Sequence, residues 1–147
     1  MTQNESTVIL LYKKDKSFLL QLRDFIPTIR FPGHWGAFSG ALEARESASE
    51  GAYRELWEEI RYKPKVICPF RKYTTEDQIL NIFYAKLEQS PTDLSLNEGV
   101  EMALFPIDEI LTGRLISKKK GEYYPVAPIL LDILKDFLQE FHFLFPK

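Results

Sequence analysis

Cysteine is almost missing from this chain: Cys68 stands alone, so no internal disulfide can form. It sits in the apolar run Val66-Ile67-Cys68-Pro69-Phe70, where a small core hydrophobe is the expected role. Histidine is scarce too. His34 and His142 form no pairing pattern with the thiol or with each other, which excludes zinc-type spacing and leaves a catalytic thiol without a partner. A basic excess is also lacking, since 19 Lys and Arg face 21 Asp and Glu for a net charge of −2. That balance argues against stable binding to a nucleic-acid backbone. A small phosphorylated ligand stays open, because a few arginines or a bound cation can neutralise it locally. No apolar run is long enough to span a bilayer. Met1 to Ser6 is polar, without the apolar segment of a signal peptide, so the cytoplasm is the expected compartment and no membrane partner is expected.

What is present is ordinary for a globular protein: 147 residues, 45% hydrophobic and 27% charged. The length predicts a single domain over 1–147 with a real core. Thr7 to Tyr12 and Ser17 to Arg23 read as strands joined by the Lys13-Lys14-Asp15-Lys16 turn. A loop from Asp24 to His34 follows, then short strand material from Trp35 to Leu42, broken by Gly36 and Gly40. Ser47 to about Arg61 is the clearest helix, with Ser47 or Ser49 as N-cap and Pro64 barring continuation. Lys65 to Tyr73 and Ile79 to Leu87 are two more expected strands, Asn97 to Pro106 contains a further one, and Asp108 to Leu111 is a helical turn. Lys118-Lys119-Lys120 reads as a hydrated loop. The last helix, roughly Val126 to Phe145, carries Leu130, Ile133, Leu134, Phe137, Leu138 and Phe141 at helical spacing, a core face. Phe143, Leu144 and Phe145 are left over and offer a homodimer contact. Strands around a central helix, closed by a terminal helix, predict a mixed sheet covered by helices.

Chemistry concentrates in Arg54-Glu55-Leu56-Trp57-Glu58-Glu59. At 100° per residue, Glu55, Glu58 and Glu59 fall within an arc of about 100°. Such carboxylates repel one another at i,i+3 and i,i+4 spacing. A divalent cation among the oxygens reverses that sign, and Mg²⁺ is usually held by one or two carboxylates with waters and phosphates. Leu56, Ile60, Tyr53 and Trp57 occupy the adjacent arc and are expected to border the core. Taken alone, the acidic stripe would be a hydrated face.

Its register says otherwise. Gly40 is followed after five residues by Glu46, after seven more by Arg54-Glu55, then Leu56, one free position and Glu58-Glu59. This resembles the Nudix box, G-x5-E-x7-R-E-U-x-E-E-x-G-U, where U is a bulky aliphatic residue; here it runs from Gly40 to Tyr62. At roughly 6–7% usage per residue type, six such matches arise by chance on the order of once in 10⁵ chains. Two departures stand out: Arg61 and Tyr62 replace the box's final Gly and the aliphatic residue after it, and Ser39 stands where many members have a second Gly. The first makes the helix end the open question, since an αL position costs a non-Gly residue roughly 1 kcal/mol. Neither removes a ligand.

The resemblance implies an α/β fold, an α/β/α sandwich whose mixed sheet is flanked by the box helix and a C-terminal helix. It implies Mg²⁺-dependent hydrolysis of a nucleoside diphosphate linked to a group X, with Mn²⁺ as the alternative ion. By the resemblance, Glu55, Glu58, Glu59 and the Ser39 carbonyl are the metal ligands. Gly40, Glu46 and Glu101 stand behind them, and Arg54 pairs with Glu46 to hold the catalytic face. The proton acceptor is Glu55, Glu98 or Glu101. Arg23, Arg30 and His34 flank the box as candidates for substrate phosphates, and Trp35, Phe38 and Tyr73 are candidates for stacking on a base, although aromatics in strands more often belong to the core. The partner expected is a small nucleotide, a nucleoside triphosphate (oxidised ones included) ahead of a diphosphate sugar of the ADP-ribose type. A non-catalytic nucleotide sensor is the third reading.

Overall fold

The computed structural model describes residues 4–145, and among these described residues alternating and continuous apolar runs fold into nine strands. β1 (Asn4–Tyr12) is the central strand. It pairs antiparallel with β2 (Ser17–Leu22) and β4 (Phe38–Ala41), and parallel with β6 (Gln78–Lys86) along its whole length. β3 (Trp35–Gly36) and β7 (Glu101–Pro106) extend the sheet from β2, and β5 (Cys68–Thr74) closes the other side beyond β6. The sheet is therefore mixed, as expected. β5 is an edge strand carrying Pro69, Arg71, Lys72 and a bulge, devices that discourage further pairing. Cys68 consequently sits half-buried on this edge rather than deep in a core.

Because side chains alternate across a strand, β1 feeds two cores. Val8, Leu10 and Tyr12 join Leu20, Leu80, Ile82 and the helix α3 (Pro128–Glu140) on one face. Ile9 and Leu11 join Leu19, Phe38 and Phe83 with the helix α1 (Ala48–Ile60) on the other. α3 ends earlier than the apolar periodicity suggests, and a short 3-10 turn, His142–Leu144, folds back. Phe145 is thereby buried against Tyr12 and Phe18. Leu144 packs on the same core, so of the expected dimer-contact residues only Phe143 remains exposed.

One further element escaped the sequence reading. The lysine loop is the tip of a hairpin formed by β8 (Arg114–Ser117) and β9 (Glu122–Pro125), after the single-turn helix α2 (Ile107–Ile110).

The two ends of α1 are built differently. At the start, the Ser47 hydroxyl accepts from the Glu50 N–H and the Glu50 carboxylate accepts from the Ser47 N–H, both at 3.0 Å, a closed capping box. At the finish, Arg61 takes φ 56° and ψ 38°, the left-handed cap that glycine normally supplies, so the helix ends on time despite the substitution. Its guanidinium lies 5.1 Å from the centroid of the half-exposed Trp57 ring. Arg61→Gly is expected to stabilise the protein by about 0.5 kcal/mol, relief of roughly 1 kcal/mol of strain being offset by the lost ring contact. A thermal melt checks this; a lower melting temperature would contradict it.

Candidate active site

The α1 face turned to the sheet consists of Gly51, Ala52, Glu55, Leu56, Glu59 and Ile60. Tyr53 and Trp57, expected at the core boundary, are instead among the exposed large side chains, and Glu55 and Glu59, two of the three glutamates of the acidic stripe, take the buried arc. Glu59 is 1% exposed and Glu55 8%. Close approach of helix and strand makes this arrangement work. A Cβ on Gly40 would fall 2.0 Å from the Glu55 carboxylate, so only glycine leaves that oxygen room.

The buried pair is short of positive charge. Glu59 accepts a 3.4 Å hydrogen bond from the Gln21 amide on β2 through one oxygen, while its other oxygen has no partner. Burial, reinforced by the charges of Glu55 and Glu98 and by a carboxyl–carboxyl hydrogen bond with Glu98 that only the protonated form makes, pushes Glu59 up to about 9. Burial also raises Glu55, against the pull of Arg54.

Arg54 organises the outer side of this face. Its Nε and Nη2 donate to the two Glu46 oxygens at 2.6 and 2.9 Å, a forked pair that holds Glu46 down to about 2. Nη1 reaches Glu55 at 2.9 Å and Glu58 at 3.1 Å, and Nη2 also donates to the Ala41 carbonyl at 3.0 Å. One side chain thus ties together the box strand, the loop before the helix and two helix carboxylates. Glu58 is turned out onto Arg54 with its side chain 53% exposed. As the side chains stand, no three His, Cys, Asp or Glu groups are gathered for one ion among the described residues.

The other expected site residues divide into those near this centre and those held elsewhere. Glu98 raises both buried glutamates and lines two adjoining cavities of about 310 and 280 Å³. Ser39, Gly40, Arg23 and Arg30 line the larger one. Arg23 donates from Nε to the Arg30 carbonyl at 2.7 Å, and Arg30 pairs with Asp77 at 2.7 Å. His34 turns its ring to the Pro32 carbonyl and Phe31 and lines neither cavity. Glu101 is withdrawn as well: its carboxylate accepts from the Ser117 hydroxyl at 2.6 Å and from the Lys118 and Lys119 N–H groups, pinning the β8–β9 hairpin. Neither serves the centre as the sequence reading expected.

The aromatic residues named as candidates for stacking take the core role instead, the commoner one for aromatics in strands. Trp35 and Phe38 are fully buried, with the Trp35 indole N–H on the Leu115 carbonyl, and the Tyr73 hydroxyl donates to Asp136 at 2.6 Å. Gln21, Ser6 and Gln78 were missed, because nothing in their local sequence marks them. Only the strand alignment brings them to the centre and to the larger cavity.

A mixed sheet whose box strand and helix present this carboxylate face is the architecture of a Nudix domain. The chain belongs to that family: the NUDIX domain matches residues 2–127. Among curated relatives, dihydroneopterin triphosphate diphosphatase of Haemophilus influenzae is 34% identical over 58 residues, 40% of this chain and 34% of the relative. The match thus spans about a third of that protein's length. A MutT from work on Aliivibrio salmonicida and Vibrio cholerae superposes with a TM-score of 0.72 at 15% identity, covering 95% of this chain and all of that one. The NUDIX domain of Shewanella oneidensis NrtR, solved with ADP ribose, gives 0.71 at 16%, covering 95% and 89%. MutT from Methanosarcina mazei Go1 gives 0.68 at 23%, covering 93% and 94%. At these identities the likeness is one of fold.

Proposed function

We propose that the protein hydrolyses a phosphorus anhydride in the triphosphate of a planar heterocycle, with Glu55, Glu58, Glu59 and the Ser39 carbonyl holding a divalent cation. The observation that carries this reading is the buried Glu55–Glu59 pair, with its unpartnered Glu59 oxygen, next to Glu98 and the two cavities. A buried carboxylate lacking a partner is costly, and a cation repays that cost. The donors are all oxygens, which suits Mg²⁺ or Mn²⁺ rather than a softer metal. Two buried carboxylates, with water and phosphate completing the set, are the usual Mg²⁺ complement. When bound, the ion neutralises charge on the diphosphate and makes a water easier to deprotonate.

The chain's own residues supply the rest. Arg54 fixes the helix face through Glu46 and the Ala41 carbonyl, so Glu55 does not have to reorganise during the reaction. Of the three glutamates considered as proton acceptor, Glu101 is engaged in the hairpin and Glu55 is paired with Arg54. Glu98 is exposed beside the buried pair and takes that role. Arg23 and Arg30 stand at the cavity to receive phosphate oxygens.

The larger cavity supports the substrate class. Across neighbouring strands it runs from Ser39 on β4 through Val8 on β1 to Leu80 on β6, a span of about 10 Å. Leu130 and Ile133 of α3 form the facing wall. Ser6 and Gln78 bring the few polar side chains on the β1–β6 floor, enough for the edge of a heterocycle and sparse for a second ribose. The curated relative is named for a triphosphate substrate, in keeping with this choice.

The test is turnover of nucleoside triphosphates and of ADP-ribose with Mg²⁺, Mn²⁺ or chelator, measuring phosphate and pyrophosphate. Triphosphates are expected to be cleaved with a kcat/KM at least about 10-fold above ADP-ribose, and chelator is expected to abolish cleavage. The opposite preference would move the assignment to diphosphate sugars. Tight binding without turnover would make the protein a sensor.

A further inference from the structure

The last carbonyls of α1 are satisfied by a distant segment. Arg61 and Tyr62 donate to the Trp57 and Leu56 carbonyls, as a left-handed cap does. The carbonyls of Glu58, Glu59 and Ile60 are met by residues 95 and 97. The Ser95 N–H donates to the Ile60 carbonyl at 3.2 Å and the Asn97 N–H to the Glu59 carbonyl at 2.8 Å. The Asn97 side-chain amide completes the set at the Glu58 carbonyl, 2.9 Å away. Asn97 therefore binds, by backbone and side chain at once, the two carbonyls of the residues whose carboxylates are Glu58 and Glu59.

The next residues are tied to β2. The Val100 N–H donates to the Leu22 carbonyl at 2.8 Å. Gly99, at φ 83°, lies so close to that carbonyl and to Gln21 that a Cβ would come within 2.9 and 3.0 Å of them. Gln21 in turn donates to Glu59. Glu98 is thus the crown of a short arch, one foot on the end of α1 and the other on β2.

We infer that Asn97 is a positioning residue for the reaction, setting where the Glu98 carboxylate stands relative to Glu55 and Glu59. This rests on the reading of Glu98 as proton acceptor. Placing the acceptor demands accuracy that a free loop lacks, and small misplacements are expensive in rate. Hydrogen bonds that hold the arch at its helix foot supply that accuracy. The second foot explains why position 99 is glycine.

The test compares Asn97→Ala, Asn97→Asp, Gly99→Ala, Glu98→Gln and the double variant Asn97→Ala/Glu98→Gln, each assayed well below its melting temperature. Asn97→Ala is expected to lower kcat about 10-fold with KM within twofold, since binding groups are untouched. Asn97→Asp is expected to be worse than Ala despite being isosteric, because a carboxylate repels the Glu58 carbonyl and the neighbouring acids. Glu98→Gln is expected to lower kcat by about 10²-fold or more. In the Glu98→Gln background, Asn97→Ala should add less than about threefold, because both act through one group. Amide exchange at Ser95 and Asn97 should be slow in the parent and faster in Asn97→Ala and Gly99→Ala.

Full multiplication of the two single effects would show that Asn97 acts apart from Glu98 and would overturn the inference. So would an Asn97→Ala enzyme with unchanged kcat while Glu98→Gln is crippled. If Glu98→Gln itself keeps full activity, the proton-acceptor reading fails first, and the inference falls with it by a different result.

Discussion

Glu59→Gln is expected to raise the melting temperature of the cation-free protein at pH 8 and, in the same substitution, to cut turnover by about 10²–10³-fold. The stability arm follows from the sign of the shift. The ordinary carboxylate value is 4.5, and burial beside Glu55 and Glu98 lifts Glu59 to about 9. Between those values the folded protein holds a proton that the unfolded chain has released. Folding therefore becomes less favourable as pH rises through that window. Glu55, raised in the same direction, adds to the trend. The neutral amide of Gln removes the Glu59 part. With chelator present, the parent should lose stability from pH 5 to 8.5 by an amount on the order of a few kcal/mol. The Gln variant should show a shallower slope and melt roughly 5–10 °C higher at pH 8. Adding Mg²⁺ should stabilise the parent and leave the variant nearly unchanged. If the parent's stability were flat with pH in chelator, the buried pair would not carry the strain assigned to it.

Arg54→Ala is expected to destabilise the protein by about 3 kcal/mol and to lower the melting temperature by roughly 6–12 °C. The loss exceeds that of a surface ion pair because Arg54 is only 20% exposed and serves Glu46, Glu55, Glu58 and the Ala41 carbonyl together. Removing it leaves three carboxylates facing one another. Arg54→Lys keeps the charge and loses the fork, so it should recover only part of the stability. Acid sensitivity supplies an independent readout. Glu46, held down to about 2, contributes stability that is complete above its ordinary 4.5 and disappears as pH falls toward 2. Arg54→Ala should abolish that contribution, and Glu46→Gln combined with Arg54→Ala should cost much less than the sum of the two. Additive losses would show that the pair is not coupled.

The box was legible because its information is local. Gly40, Glu46, Arg54, Glu55, Glu58 and Glu59 lie within one strand, loop and helix, and their register encodes contacts made inside that unit. The central strands and the terminal helix were legible from apolar periodicity. What stayed hidden depends on strand alignment over long separations. Gln21 meets Glu59 only because β2 lies where it does, and Gln78 reaches the cavity only because β6 runs parallel to β1. The hairpin at Arg114–Pro125 was read as loop because three lysines dominated it, although Leu115-Ile116 and Tyr123-Tyr124 flank them. Glu101 was misplaced for a related reason. Its proximity to Glu98 in sequence suggested the same site, whereas its position on β7 aims it at that hairpin.

The manner in which α1 ends also has a consequence for how the chain is made. Synthesis runs from the N-terminus, and the helix carries its starting cap within itself at Ser47 and Glu50. Its Glu58, Glu59 and Ile60 carbonyls wait for Ser95 and Asn97, well over thirty residues later. A nascent chain that has just delivered the whole box thus has a frayed helix terminus and no Glu98 beside it. β6, the parallel partner of β1, must be added before that segment arrives, and such long-range pairing is slow. A chain released before residue 97 would carry every letter of the box and still lack the arch that presents Glu98.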